Sequence, residues 1–464
     1  MISYGALMPH PPVLVKEIGG GRLRELQTSL EALSAISSEL LASEPDCIVF
    51  LTPHGNVFQD SLSYLTAAQL QGDLSDFGWS DSGTSLDNDS QLMQTIVELA
   101  ETKGLPLLAV TSDLAVRYHL KEYLDHGILV PLYFLQQAGM RDIPILAISV
   151  GLLTNEELYL FGKIIQEASD QIGRRIAILA SGDMSHALKE EGPYRFHPDG
   201  PRFDMTVKQA FDRGDFASLL DIPSQLRENA RECGYPSLLI LIGALDGYKP
   251  DKIITSYEGP FGVGYLCVGI KPGQKTESMI PVLKRRKAVL TATRRAQEGP
   301  LVRWARLNLE HAVAGLKAPA LEAELQDLKT QRAAAFVSIK KGGSLRGCIG
   351  TILPAYKNLA EEISHNALAA GLQDPRFAPV TASELADLEY SVDVLGEPQR
   401  CERGELDPRR YGVIVSHKGR RGLLLPDLEG VDTVEEQLRI ACQKAGISPH
   451  EPYAVERFEV MRYK

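Results

Sequence analysis

Over the first 270 residues, short apolar runs alternate with stretches in which large apolar residues recur every three or four positions. The runs at 4–8, 47–52, 107–111, 143–150, 175–180, 252–257 and 262–270 have the length and composition of buried strands. Between them, Leu23, Leu26, Leu30, Leu33, Ile36 and Leu40 fall on one helical face, and residues 92–103, 128–135, 154–173, 203–211 and 237–245 also read as helices. Helix starts are marked. Asp125 is placed to N-cap a helix whose early turn tolerates Pro131, and Thr154-Asn155-Glu156-Glu157 matches a capping box. Repeated alternation of this kind predicts an α/β domain, a largely parallel sheet covered by helices on both faces.

Two stretches break the rhythm. Residues 71–90 are acidic and rich in Gly and Ser around Phe77-Gly78-Trp79, which reads as a long loop of the sort that forms lids. Residues 271–299 turn basic and polar, with Lys284-Arg285-Arg286-Lys287, so a linker is expected over 271–289, separating a first domain, 1–270, from a second, 290–464. Pro300 suits the first turn of a helix. Strands are expected at 334–340, 345–351, 388–395, 411–416 and 422–425, and helices at 359–371 and 434–446, the latter opened by the capping box of Thr433 and Glu436. Connections such as Lys341-Gly342-Gly343 indicate hairpins, hence an α+β second domain.

Length agrees with this division, since 464 residues exceed what one ordinary core holds. A net charge of −11 argues against nucleic acid or an anionic membrane as a general partner. The six cysteines, at 47, 233, 267, 348, 401 and 442, form no Cys-x-x-Cys pair, which points to reduced thiols in a cytoplasm rather than a disulfide framework or zinc ribbon. No apolar run approaches the ~18 residues that span a bilayer.

The chemistry collects at strand ends. The run ending in Met8 is followed by Pro9-His10, the run ending in Thr52 by Pro53-His54, and the run ending in Ala180 by Ser181-Gly182-Asp183-Met184-Ser185-His186, while Asp125-His126-Gly127 precedes a further apolar run. In open α/β sheets the crevice beyond the carboxyl ends of the strands holds ligands, so these histidines are expected to converge. Imidazole is both the commonest metal ligand and the commonest general base. A non-haem Fe(II) site takes two histidines and a carboxylate with open positions. Glu232 is the leading carboxylate, with Glu258 and Asp183 behind it; adjacent Cys233 is the rival ligand and would favour Zn or Cu. In the second domain, Cys348 between two glycines and near Arg346 is a candidate nucleophile or modifiable thiol, with Asp374 and Arg376 as neighbouring candidates. The domain's histidines, His311, His365, His417 and His450, have spacings that suggest no shared ion.

Met8-Pro9-His10-Pro11-Pro12, Thr52-Pro53-His54-Gly55, Asp125-His126-Gly127 with Val130-Pro131-Leu132, and Ser181-Gly182-Asp183-Met184-Ser185-His186 together resemble the LigB-type class III extradiol ring-cleavage dioxygenases over about residues 1–270. That resemblance implies Fe(II) held by His10, His54 and Glu232, acid/base work by His186, His126 in the substrate pocket, and a catechol-like aromatic and O2 as reactants. Glu232-Cys233-Gly234 also looks like the segment of the related Memo proteins in which a cysteine replaces the carboxylate, implying metal or partner binding without ring cleavage. Leu345-Arg346-Gly347-Cys348-Ile349-Gly350, Asn366 to Ala370, Asp374-Pro375-Arg376-Phe377 and Arg421 to Pro426 resemble the AMMECR family over about 290–464. Chains joining AMMECR-like and Memo-like parts are associated with a radical-SAM partner, which the resemblance makes an expected partner here.

Overall fold

The computed structural model describes residues 1–428, 430–448 and 451–464. The chain divides into two compact units, Met1–Leu283 and Lys284–Lys464.

The first unit is built on one eight-stranded sheet. In chain order its strands are β1 (Ile2–Met8), β2 (Cys47–Thr52) and β3 (Leu62–Leu65); after a separate hairpin, β4 (Gln69–Leu74) and β5 (Trp79–Asp87), come β6 (Leu107–Val110), β7 (Ile145–Ser149), β8 (Ile176–Ser181), β9 (Tyr248–Glu258) and β10 (Tyr265–Lys275). The spatial order is β6-β3-β7-β2-β8-β1-β10-β9. The centre, β7-β2-β8-β1, is parallel, whereas β10 runs antiparallel to β1 and β9, and β3 antiparallel to β7. The sheet is therefore mixed: its parallel core carries an antiparallel hairpin on one side and a reversal on the other.

Alternating side chains send each central strand into two cores. Val49, Leu51, Ile178 and Ala180 face a layer that includes the helices Asn155–Gln171 and Tyr235–Ala244. Ile48, Phe50, Ala177 and Leu179 face the layer of Gln27–Ala42 and His126–Gln137. Both expected helix starts form: Asp125 accepts from Gly127 N–H, and Thr154 with Glu157 closes a capping box. Because β1, β2 and β8 are parallel, their carboxyl ends lie along one edge, and the turns that follow carry His10, His54 and His186 there.

The stretch read as a loop over 71–90 is mostly the β4–β5 hairpin. It lies on the segment that leads into His126: Leu124 N–H donates to Gln71 O, and a Cβ at Gly72 would sit 2.6 Å from Leu124 O, so only glycine permits this approach. The stretch read as linker is strand as far as Lys275 and helix from Ile280 to Gln297.

The second unit is α+β. Strands β11 (Ala335–Lys341), β12 (Ser344–Gly350), β13 (Leu388–Leu395), β14 (Gln399–Arg400), β15 (Gly412–His417), β16 (Arg420–Leu424), β17 (Ala454–Phe458) and β18 (Val460–Tyr463) form two antiparallel sheets, ordered β12-β11-β13-β18 and β14-β17-β15-β16. The helix Leu359–Leu372 shares a core with β11 and β13, and Val434–Ala445 packs in the core of β15 and β16. Thr433 caps the latter by accepting from Glu436 N–H.

Candidate metal centre

His10 follows β1 and is 2 % exposed. Its backbone N–H donates to Asp183 Oδ1 at 3.0 Å and its Nδ1 lies 2.8 Å from Ser181 Oγ, which leaves Nε2 as the free donor atom of the ring. That Nε2 is 2.8 Å from His54 Nε2. His54 is held from behind, its N–H on Thr52 Oγ1 and its carbonyl accepting from Lys121 Nζ at 2.7 Å. Thr52 Oγ1 donates in turn to Asp125 Oδ1, the atom that caps the helix beginning at His126, so one carboxylate sets both the His54 turn and His126. The His126 ring lies nearly parallel to His54 at 4.5 Å and edge-on to His10 at 5.3 Å. Phe77, at the tip of the β4–β5 hairpin, meets His126 at 5.2 Å.

On the other side of His10 the turn after β8 meets the turn before the Tyr235–Ala244 helix. A Cβ on Gly182 would lie 2.1 Å from Gly234 Cα, so this contact requires glycine. Asp183 O accepts from Cys233 and Gly234 N–H, and Asp183 N–H points at Cys233 Sγ. Cys233 Sγ is thereby 3.7 Å from His10 Nε2, and Asp183 Oδ2 is 3.8 Å from the same nitrogen and 4.0 Å from His186 Nε2. The His186 ring faces Tyr194 at 6.3 Å.

Glu232 stands apart from this group. Its carboxylate accepts from Tyr235 N–H at 2.7 Å, capping the helix locally. Among the described residues, two sets of ligand atoms lie within 4.8 Å of one another: His10, His54 and His126, and His10, Asp183 and Cys233. Glu232 is in neither, and Glu258 is spent on Ser29 N–H.

Burial governs the electrostatics. It holds His10 well below the ordinary imidazole range, His54 at about 4, and His126 and His186 below their usual value, with the other imidazoles and Lys121 adding to the effect on His54. The rings are neutral near pH 7, the state that binds metal. Burial pushes Asp183 and Glu232 each up to about 7 and the Cys233 thiol well above its usual value. The donors fit a metal ion. Two nitrogens about 2.1 Å from one ion lie about 3.0 Å apart at right-angled coordination and about 3.4 Å apart at tetrahedral coordination, so the observed 2.8 Å needs only a small opening.

Sequence reasoning missed Lys121, Phe77 and Tyr194. The Phe77-Gly78-Trp79 cluster was a signal for the second; the other two gave none.

In the second unit, Arg346 and Arg376 are held by different carboxylates, and it is Arg376 that bonds to Cys348 directly, through its carbonyl. Arg346 forms a two-point pair with Glu384 at 2.8 and 3.2 Å, whereas Arg376 Nη2 donates to Cys348 O and grips Asp374 at 2.9 and 2.7 Å. Asp374 Oδ2 also accepts from Cys348 N–H, and Ser338 Oγ donates to Cys348 Sγ at 3.1 Å. Among the described residues His311, His365 and His417 join no metal set; His450 lies outside them.

A mixed α/β sheet whose strand-end turns bring His10, His54 and His186 together, with His126 opening a helix beside them, offers donor sets that could hold a metal ion. The chain belongs to the family of the catalytic LigB subunit of aromatic ring-opening dioxygenase, whose model matches residues 4–268, and it carries an AMMECR1 domain over residues 302–464. A protein of Clostridium acetobutylicum is 39% identical over 463 residues, covering 99% of this chain and 98% of its own. A protein of Thermotoga maritima is 53% identical over 171 residues, 36% of this chain and 98% of its own. Among solved structures, an uncharacterized protein from Pyrococcus horikoshii aligns at 30% identity and TM-score 0.33 over 35% of this chain and 88% of its own, and one from Escherichia coli K12 at 19% and 0.37 over 58% and 99%. Among the described residues no helix is long and apolar enough to cross a membrane.

Proposed function

We propose that the first unit is a metal-dependent oxygenase that opens the ring of a catechol-like aromatic with O2, with Fe(II) as its metal. The observation that carries this reading is the meeting of His10 Nε2 and His54 Nε2, from two different strand ends, with His126 against both rings and His186 joined to the group through Asp183. His10 and His54 are the residues that would hold the ion. Bound there, Fe(II) supplies a centre at which two adjacent phenolic oxygens and O2 can meet. The chain's own groups do the rest. His186, neutral and backed by Asp183 Oδ2, is placed to take a phenolic proton and return it later. Phe77 beside His126 and Tyr194 beside His186 add two exposed aromatic rings next to the cluster.

A second reading is favoured by Cys233, whose sulfur reaches His10 while Glu232 caps a helix. On it the unit is Memo-like, binding a thiophilic ion such as Zn or Cu, or a protein partner such as a radical-SAM enzyme, without ring cleavage. Anaerobic loading with Fe(II) followed by an oxygen-uptake screen across catechols separates the two. Uptake that requires Fe(II) and is lost in His54→Ala supports the first reading; a protein that holds Zn or Cu tightly and consumes no oxygen with any catechol supports the second.

A further inference from the structure

The two donor sets at this site share one residue. His10, His54 and His126 form an all-imidazole set, and His10, Asp183 and Cys233 form a set with a thiol and a carboxylate. His54 Nε2 lies 2.8 Å from His10 Nε2, and Cys233 Sγ and Asp183 Oδ2 reach the same nitrogen at 3.7 and 3.8 Å. Both sets are held in place by contacts of their own. Asp125 holds the His54–His126 pair through Thr52 and Gly127, and the Gly182–Gly234 approach holds the Asp183–Cys233 pair. His10 itself cannot turn away without breaking Nδ1 from Ser181 Oγ.

A neutral imidazole has one lone pair on Nε2, so His10 serves one ion at a time. We infer that this is a single-ion site with two alternative donor sets hinged on His10, in which His126 becomes a ligand whenever the Cys233 thiol is unavailable. Softness separates the sets: the imidazoles accept Fe(II) along with other first-row divalent ions, whereas the thiolate favours a thiophilic ion. The state of the Cys233 thiol then decides which ions the site retains, a form of regulation built into the donor geometry. The inference rests on the metal-dependence proposed above but not on ring cleavage.

Co(II) is the probe, since it binds nitrogen and sulfur donors and reports sulfur through a thiolate-to-metal absorption band. Its affinity, stoichiometry and spectrum would be measured in the full chain for the natural sequence, Cys233→Ser, His126→Asn and the double variant, with His126→Gln as a second substitution and thermal unfolding as a check on folding. Each single variant should keep one Co(II) per chain, with the thiolate band present in His126→Asn and absent in Cys233→Ser. The double variant should bind at least about tenfold more weakly than the product of the two single losses predicts. Losses that simply multiply would mean that both residues bind the ion together or act independently, and would overturn the inference. So would loss of binding in Cys233→Ser alone, which leaves no alternative set. No Co(II) in any folded form, the natural sequence included, would defeat the metal reading as well.

Discussion

Asp125 is the residue on which both sides of the imidazole cluster depend, and Asp125→Ala is the perturbation that shows it. Its Oδ1 accepts from Gly127 N–H at 2.8 Å, capping the helix that carries His126, and from Thr52 Oγ1 at 2.7 Å, which itself receives His54 N–H. Losing an Asp N-cap costs about 1 kcal/mol. Thr52 is 1 % exposed, so its hydroxyl is left without an acceptor, at about 1 to 3 kcal/mol. Against this, burial pushes the Asp125 carboxyl above its ordinary value, so removing it relieves part of a desolvation penalty, and the net should fall near the low end, about 2 to 3 kcal/mol. For a unit of this size that is a fall in melting temperature of roughly 4 to 10 °C, read as the transition of the first unit in differential scanning calorimetry. Asp125→Asn keeps an oxygen in the same place and should recover most of the loss. An Ala variant as stable as the natural chain, or an Asn variant as damaged as the Ala one, would refute the reasoning.

Three further outcomes are expected. Asp204, buried where it accepts Ser185 N–H and the Tyr257 hydroxyl, is pushed up to about 6 by burial, so the stability that comes with its protonated form is fully present below about pH 4 and lost as pH rises through 6; followed by denaturant titration, the stability of the natural chain should fall relative to Asp204→Asn by about 2 to 3 kcal/mol over that window. His186→Ala should keep its metal while turnover on any accepted catechol falls about 10² to 10⁴-fold; unchanged turnover would remove it from proton transfer, and lost metal would make it a ligand. Cys348, half-buried beside Ser338 and Arg376, should be alkylated in folded protein faster than Cys442, which is 5 % exposed and whose thiol is pushed up by burial, as read by mass spectrometry over time; equal rates would return Cys348 to the core.

The parallel centre of the sheet and the histidine-bearing turns were legible because strands buried on both faces write themselves as continuous apolar runs, and Pro or Gly marks where each stops. The β4–β5 hairpin was not, because most of its side chains face water and the sequence carries no apolar alternation; it is held by its own ladder and by Leu70 and Leu74. The reversal at β3 was hidden by its four-residue length, and β17 and β18 by their half-exposed, charged composition. Spacing could not choose between Glu232 and Cys233, since neighbours in sequence share every long-range argument. In the fold the Tyr235 N–H takes up the Glu232 carboxylate, while the Asp183 backbone holds Cys233 with its sulfur 3.7 Å from His10 Nε2. Around Cys348 the sequence showed Arg346, two residues away in a strand and paired with Glu384, but not that Arg376 reaches the Cys348 carbonyl from a distant loop.

The central claim is that His10 and His54 present one ion with two imidazoles. It is tested most directly by a crystal structure of the chain loaded anaerobically with Fe(II). The account predicts a single ion in the crevice with His10 Nε2 and His54 Nε2 both at about 2.0 to 2.3 Å. An ion bound elsewhere, or a crevice in which the two rings remain bonded to each other under saturating Fe(II), would contradict it.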